Sequence, residues 1–448
     1  MPARSWTVAA ALSLAAATVL AWRTTQERSI LGNHDRLLVE ILAWWLVWAL
    51  AIACLRRTSG RATVLLVLLG AVALRLAALT PVVPLSDDLY RYAWDGSVQA
   101  SGSSPYRSPP LAPELAELRT PWLFPGGAGC TEQPGCTKIN RPSVRTIYPP
   151  VAQGWFLLGH LAGASHLRDL GWELVALVAD VATGVLLWQV LRRRGRDPRW
   201  VAVYAWSPVA VLEGVQNGHV DGLATLLVVA AVALAGRRPA WSGAALGAAA
   251  MVKLYPALLL PALLVRRPVR VASAFVGVCS LSYLPHVAVL GADVLGYLPG
   301  YLQEEDYASG GRYLLLRPLG LAGAPATVAA ALLLGAVVAW VLARRRAQDP
   351  VSGALLLFGA VLLVATPVQP WYGLPLAALA ALAGRAAWLA VPAAAYVAFF
   401  AVVPAGPSPE ASRQGSIAFA LALLVVLTGW AWRRSGAARA HRTTSGSA

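Results

Sequence analysis

The sequence has little charge and almost no lysine. Asp, Glu, Lys and Arg make up 13% of its 448 residues, about half the share in a typical soluble domain. Lys138 and Lys253 are the two lysines, so arginine supplies nearly all of the positive charge. Hydrophobic residues reach 58%, and the mean hydropathy is +0.59. These values exclude an ordinary soluble enzyme and indicate an integral membrane protein.

Apolar runs near the ~20 residues that a helix needs to cross a bilayer recur from end to end. They predict an all-α polytopic membrane protein with one integral domain. The first run, within residues 5–22, lacks a small-residue cleavage site after it, which favours a retained span over the alternative, a signal peptide. The net charge of +16 could indicate nucleic acid, but the arginines stand in short clusters between apolar runs, so membrane topology explains them better.

The arginine clusters predict the topology. The positive-inside rule places each cluster in the cytoplasm, which gives about fourteen spans, both termini inside, and a multi-pass protein of the plasma membrane. Residues 1–435 then form a single transmembrane domain, residues 80–170 form one large extracytoplasmic loop with surface helices, and residues 436–448 form a disordered cytoplasmic tail. The clusters are Arg56, Arg57 and Arg61; Arg192 to Arg194 with Arg196 and Arg199; Arg237 and Arg238; Arg266, Arg267 and Arg270; Arg344 to Arg346; and Arg433 and Arg434.

The chain has few cysteines, four in all. Cys54 and Cys279 lie in apolar segments and are expected in the core. Cys130 and Cys136 flank "TEQPG" in the polar outer loop. If that loop faces an oxidising compartment, a disulfide between them is favoured over a metal site, because no second pair of ligands accompanies them.

Charge is concentrated in "PLSDDLYRYAWDGSVQASGSSPYRSPP", residues 84–110. Asp88, Arg91 and Asp95 have the spacing of one helix face, and Asp87 can pair with Arg91 at i, i+4. The simpler alternative is a helix start with Ser86 as N-cap and both acids in the first turn. A charged face beside the bilayer predicts a catalytic acid held at the membrane surface.

Further polar residues fall on the same outer side, where polar groups near membrane depth usually line a pathway or a site. His219 and Asp221 in "NGHVD" favour substrate binding or acid/base chemistry, although a simple polar turn is the alternative. Lys253, in "MVKLYPALLLP", needs an anionic partner or access to water. A lipid-linked phosphate would suit it, and snorkelling to the surface is the alternative. Arg312 in "SGGRYLLLRP" is a second phosphate candidate or a solvated loop arginine.

Glu173 and Asp180 share a face of one predicted span at i, i+7. They can act as internal hydrogen-bond partners that hold helices together. They can equally mark a proton or ion path, which keeps a multi-span transporter or flippase of lipid-linked or small polar substrates as the alternative function.

The chain resembles the membrane glycosyltransferases of the GT-C superfamily. The likeness is strongest to bacterial mannosyltransferases that use a polyprenyl-phosphate sugar, a group similar to glycosyltransferase family 87. The fold implied is a GT-C-like bundle with a large extracytoplasmic catalytic loop. The family commonly has one span before that loop, whereas three are predicted here. The motifs that carry the resemblance are "SDDLYRYAWDG", "SPYRSPP", "YPPVAQ", "EGVQNGHVDG", "MVKLYPALLLP" and "QPWYG".

The resemblance implies transfer of a hexose, mannose by family likeness, from a polyprenyl-phosphate donor to an extracytoplasmic glycan or glycolipid. The reaction inverts the anomeric centre, and an acid of the first outer loop, Asp87 or Asp88, serves as general base. Some relatives need a divalent metal and many do not, so the resemblance leaves a metal open. The expected substrate-binding residues are Arg91 and Asp95, His219 and Asp221, the phosphate ligands Lys253 and Arg312, and the rim aromatics Tyr148, Trp371 and Tyr372.

Overall fold

The protein is described here as a computed structural model that covers residues 3–27, 29–79, 84–126, 136–305, 307, 309–404 and 406–445. Every regular element among these residues is helical, as the apolar runs predict. The helices are α1 (Ala3–Thr25), α2 (His34–Leu55), α3 (Arg61–Ala78), α4 (Asp88–Ala100), α5 (Pro150–Leu161), α6 (Arg168–Arg193), α7 (Val201–Ala205), α8 (Pro208–Val211), α9 (Asp221–Leu234), α10 (Pro239–Ala250), α11 (Leu260–Leu263), α12 (Pro268–Leu290), α13 (Leu298–Glu304), α14 (Gly323–Arg344), α15 (Pro350–Ala365), α16 (Gly373–Ala383), α17 (Ala390–Val402) and α18 (Pro409–Ser445).

Seven of these segments are long and apolar enough to cross a membrane. Shorter apolar segments of 10–17 residues lie in α9, α15, α16 and α17. Together they are fewer than the fourteen predicted spans, because the chain at 200–216 and 239–265 folds as short or broken helices. The seven long segments are Ser5–Thr25, His34–Leu55, Arg61–Ala78, Arg168–Arg193, Pro268–Tyr301, Gly323–Arg344 and Pro409–Arg433.

Three long helices precede the large loop, as predicted, and α1 packs against both α2 and α3. The loop between α3 and α6 carries α4 and α5, which pack on each other. Where they cross, a Cβ on Gly96 would lie 2.5 Å from the Phe156 carbonyl oxygen, so only glycine fits there. At the other end of the chain α18 continues to Ser445, so the predicted disordered tail is helical as far as that residue.

The core of the bundle is centred on α16, every residue of which is buried. Helices α6, α7, α9 and α15 pack around it. Arg75 of α3 and Asp180 of α6 form a buried bidentate ion pair there, with N–O distances of 2.9 and 3.0 Å. The Tyr204 hydroxyl also donates to Asp180 at 2.9 Å. Asp180 therefore holds helices together, the first of the two roles considered for it.

A single π-helical turn, Leu212–Gln216, follows α8 and ends one residue before the "NGH" turn. The Asn217 amide donates to the Leu212 carbonyl at 2.8 Å, the i to i+5 bond of a π-turn. Gly218 has a φ of +63°, a left-handed conformation that glycine adopts without strain. The turn then feeds directly into α9, and so fixes where the side chain of His219 points.

Candidate active site

A cavity of about 940 Å³ lies at the end of the bundle where α4 begins. Its wall combines the first outer loop, the turn after α10, and the segment around α13 and the "QPWYG" motif. Of the predicted site residues, six line it directly: Asp87, Asp88, Arg91, Tyr148, Lys253 and Trp371.

Asp88 is the first residue of α4, and its carboxylate is surrounded by donors. The Asn140 side chain donates to Oδ1 at 2.7 Å, and the Tyr148 and Tyr92 hydroxyls donate to Oδ2 at 3.2 and 3.4 Å. The same Asn140 nitrogen also reaches Asp87 Oδ1 at 2.9 Å, so one amide bridges the two acids. Asp88 is thus held in one orientation at the cavity wall.

Asp88 stays ionised at neutral pH. Burial raises the pKa of its carboxyl, but the hydrogen bond and charge of His219, the charge of Lys253 and the Asn140 hydrogen bond hold that pKa well below its usual range. An ionised carboxylate that faces a cavity can accept a proton from a bound hydroxyl group.

His219 lies directly behind Asp88, between two carboxylates. Its Nδ1 is 3.5 Å from Asp88 Oδ2 and its Nε2 is 3.3 Å from Glu213 Oε2, while its ring stacks on Trp371 at 4.1 Å. Burial lowers the pKa of His219, but hydrogen bonds to Asp88 and Glu213 and their negative charges outweigh it and raise the pKa to about 9. The protonated imidazole therefore joins the two acids, and His219 itself lies outside the cavity lining, so its contact with substrate stays a prediction.

Lys253 forms the second charged pair of the site. Its Nζ lies 3.1 Å from Asp221 Oδ2, and the Tyr255 hydroxyl donates to Asp221 Oδ1 at 3.0 Å. The ammonium also sits 5.4 and 5.7 Å from the ring centres of Tyr148 and Tyr372. Asp221 is fully buried behind the lysine, so it anchors Lys253 and does not reach the cavity.

The turn that carries Lys253 is fixed by a helix end. The first backbone N–H groups of α5, at Val151 and Ala152, have no partner within their own helix. Both donate to the Met251 carbonyl, at 3.0 and 3.2 Å. These two bonds hold the turn after α10 against the outer loop and so bring Lys253 beside Tyr148.

Two ion pairs close over the cavity mouth. Arg141 pairs with Glu304 of α13 at 2.8 Å, and Arg145 pairs with Asp293 at 3.1 Å. In both pairs each side chain is at least one third exposed, and such pairs contribute little to stability. Both arginines line the cavity, which makes them available to an anionic ligand.

Sequence reasoning did not single out Asn140, Arg141 or Arg145 as site residues. All three lie in "INRPSVR", which ends two residues before the "YPP" motif. Two arginines in a loop predicted to be extracytoplasmic depart from the positive-inside pattern, and that departure was the available signal.

Arg91 lines the cavity and joins it to Asp95, which lies outside the lining. Arg91 pairs with Asp95 at 3.0 Å, and its other nitrogen donates to the Val144 carbonyl at 3.0 Å. Asp95 is fully buried, away from the cavity lining, and accepts bonds from Thr146 and Gln153 at 2.6 and 2.8 Å. These bonds hold the loop that carries Asn140 and Arg141 onto α4, so Asp95 contributes to the site by fixing the position of that loop.

Arg312 does not line the cavity either. Its Nη2 lies 3.2 Å from Glu305 Oε2, and its Nε donates to the Glu305 carbonyl at 2.9 Å. Glu305 itself lines the cavity and accepts from Gln369 at 2.9 Å. Arg312 therefore neutralises the carboxylate that faces the cavity, and its contact with phosphate stays a prediction.

Cys136 is disulfide-bonded, and Cys54 and Cys279 are free. Cys130 lies outside the described residues, so its pairing with Cys136 stays a prediction. Within the described ranges no three His, Cys, Asp or Glu side chains gather as metal ligands. His219 and Asp221 are each engaged by a charged neighbour.

Comparison with known families matches residues 147–367, just under half of the chain, to the model of glycosyltransferase family 87. The matched range contains His219, Asp221 and Lys253, and it begins after Asp88. No curated protein and no solved structure matches the chain. The match confirms the likeness to glycosyltransferase family 87 and supports a GT-C-like membrane glycosyltransferase.

Proposed function

We propose that the protein transfers a hexose, mannose in the first instance, from a polyprenyl-phosphate donor to an extracytoplasmic glycan or glycolipid. The observation that carries the proposal is the position of Asp88. It is an ionised carboxylate at the wall of a 940 Å³ cavity, held by four neighbours, with the ammonium of Lys253 close enough to act on it. A base and a cation in one cavity are what a phosphate-leaving sugar transfer needs.

Asp88 acts as the general base. The acceptor hydroxyl oxygen attacks the anomeric carbon from the face opposite the phosphate, and its proton passes to Asp88 Oδ1, because Oδ2 already faces the Tyr148 and Tyr92 hydroxyls and His219. The bond between the anomeric carbon and the phosphate oxygen breaks, and its electron pair leaves with the polyprenyl phosphate. The anomeric configuration inverts in this single displacement. Asp87 shares the Asn140 amide and orients the same loop.

The leaving phosphate gains negative charge as the bond breaks, so cations must lie where that charge develops. Lys253 stands in the cavity wall beside Tyr148 and Tyr372. Arg141 and Arg145 stand at the mouth, where a planar guanidinium can bind phosphate in bidentate fashion. We assign Lys253 to the phosphate oxygens nearest the sugar and the two arginines to the outer oxygens.

His219 stabilises the base and Trp371 covers it. When His219 is protonated, its positive charge lies between the negative charges of Glu213 and Asp88. This arrangement fixes the orientation of Asp88 and leaves the carboxylate oxygen that faces the cavity free to accept a proton. Trp371 stacks on His219 and also lines the cavity. Its ring offers a flat apolar surface to the acceptor sugar.

The direct test measures transfer from labelled donors. Membranes that contain the protein are incubated with polyprenyl-phosphate mannose, polyprenyl-phosphate glucose or a nucleotide mannose. We expect transfer from a polyprenyl-phosphate donor alone. Asp88→Asn should lower the rate about 10²-fold or more, since general base catalysis contributes 10²–10⁴-fold.

Asp35→Asn is the matched control, because Asp35 is an acid in a helix first turn whose side chain is 93% exposed. It should retain full transfer. Undiminished transfer by Asp88→Asn, or transfer from the nucleotide sugar alone, contradicts the proposal. If Asp87→Asn loses transfer and Asp88→Asn retains it, the general base is Asp87.

The proposal also requires the cavity to open away from the cytoplasm, with both termini cytoplasmic. A topology reporter placed after residue 126, in the loop between α4 and α5, should report an extracytoplasmic position. The arginine clusters support this orientation. A cytoplasmic signal would contradict the proposal, because a lipid-linked donor on the outer leaflet could not then reach the cavity.

A further inference from the structure

Four arginine side chains converge at the end of the bundle away from the cavity. Arg56 follows α2, Arg196 follows α6, Arg385 precedes α17, and Arg433 lies in α18. The charges of Arg385, Arg56 and Arg196 all act on Arg433. Like charges repel one another, so this cluster of four cations is unfavourable until an anion binds to it.

Part of the cluster is held by the carboxyl end of α16. Arg196 Nη1 donates to the Leu382 carbonyl at 3.0 Å, and Arg433 Nη2 donates to the Gly384 carbonyl. These bonds place two guanidinium cations at the carboxyl end of α16, where the helix dipole is negative. Each uses one N–H of a guanidinium that has five, so most of the donor capacity of the cluster remains for a ligand.

A pocket of about 130 Å³ lies beside the cluster, lined by Arg56, Arg199 and Trp200. The carboxylate in its wall, Asp197, already accepts from Arg199 at 2.7 Å. Arg56 lies 5.8 Å over the Trp200 ring. The remaining wall is apolar and consists of Ile52, Leu55 and Val203. The pocket thus has a cationic rim and a hydrocarbon floor.

The pocket lies at the opposite membrane surface from the active site. The chain just before α2 lines the catalytic cavity at Leu31, and α2 ends at Leu55 in the pocket wall. A helix of 22 residues spans about 33 Å, close to the ~30 Å thickness of the hydrocarbon layer.

We propose that this arginine cluster binds the phosphate group of one anionic phospholipid. Guanidinium groups bind phosphate in bidentate geometry, and basic pockets between spanning helices are suited to lipid head groups. The apolar floor favours a lipid over a soluble phosphate, because it can contact the first methylene groups of an acyl chain. Trp200 beside it is of the residue type that is enriched at bilayer interfaces.

The test uses the full-length protein in neutral detergent. Phosphatidylglycerol or phosphatidylcholine is added at equal mole fractions, and bound lipid is counted by native mass spectrometry. We expect a preference for phosphatidylglycerol that falls about tenfold or more in the triple variant Arg56→Gln, Arg385→Gln, Arg433→Gln. The matched control Arg237→Gln, Arg238→Gln, Arg266→Gln removes the same charge from other turns and should keep the preference.

An equal loss in the control triple would show a general charge effect and overturn the proposal. Displacement of phosphatidylglycerol by millimolar glycerol phosphate or inorganic phosphate would overturn the choice of a lipid. If the triple variant does not fold, Arg56→Gln alone decides the matter, since it leaves the bonds to α16 intact. It should weaken phosphatidylglycerol binding about fivefold, and an unchanged affinity refutes the site.

Discussion

Replacing Lys253 with methionine separates its structural role from its proposed role in transfer. Methionine keeps the bulk of the side chain and removes the charge that faces Asp221. Asp221 is fully buried, and loss of one partner of a buried pair costs about 3–5 kcal/mol. Lys253 retains 15% exposure, so the lower end is expected. With an unfolding entropy of about 2.1 cal/mol/K per residue over 448 residues, ~3 kcal/mol lowers the Tm by about 3 °C.

The double variant Lys253→Met, Asp221→Asn removes both charges and should recover most of that loss. Transfer should stay about 10²-fold below the original rate, because loss of one group that stabilises transition-state charge costs that much. Asp221→Asn alone is the matched control, since it keeps the ammonium for the phosphate and should transfer faster than the double variant. The assay pairs thermal unfolding in detergent with transfer from a labelled polyprenyl-phosphate sugar.

Either of two results would refute this reasoning. Recovery of transfer together with stability in the double variant would make Lys253 purely structural. An unchanged Tm in the single variant would mean that Asp221 does not depend on the lysine for its charge balance.

Three further predictions follow from the charged pairs. The pKa of His219 is raised to about 9 in the folded protein, so protonation of its imidazole stabilises the fold fully below pH ~6.5. That stabilisation is lost as the pH rises through 9. His219→Gln should therefore flatten the dependence of Tm on pH between these two values. Arg75→Met should destabilise the protein by about 3–5 kcal/mol and leave the donor KM unchanged, because the pair with Asp180 is remote from the cavity lining; a raised KM would contradict this. Glu304→Gln should cost under ~1 kcal/mol and lower the donor KM by up to about fivefold by freeing Arg141; a KM that rises would show that the ion pair itself is needed.

The sequence predicted those features that depend on local composition. Helix lengths follow from apolar runs, so the three helices before the large loop and the surface helix that begins at Pro150 were predicted. These inferences need no knowledge of which helices touch.

The partners of each charged side chain could not be predicted in this way. Asp95, Arg91 and Arg312 have the residue types of a site, but their side chains are engaged by groups from the fold. The pairing of Asp88 with His219 joins residues 131 positions apart. Such pairs depend on tertiary packing, which single-sequence periodicity does not contain.

The π-turn at Leu212–Gln216 makes the catalytic geometry sensitive to chain length. Adding one residue to it in ordinary helical geometry would rotate the chain that follows by about 100°. The imidazole would swing about a quarter of a circle away from the carboxylate that it now faces. An insertion in this short stretch should therefore abolish transfer while the bundle still assembles.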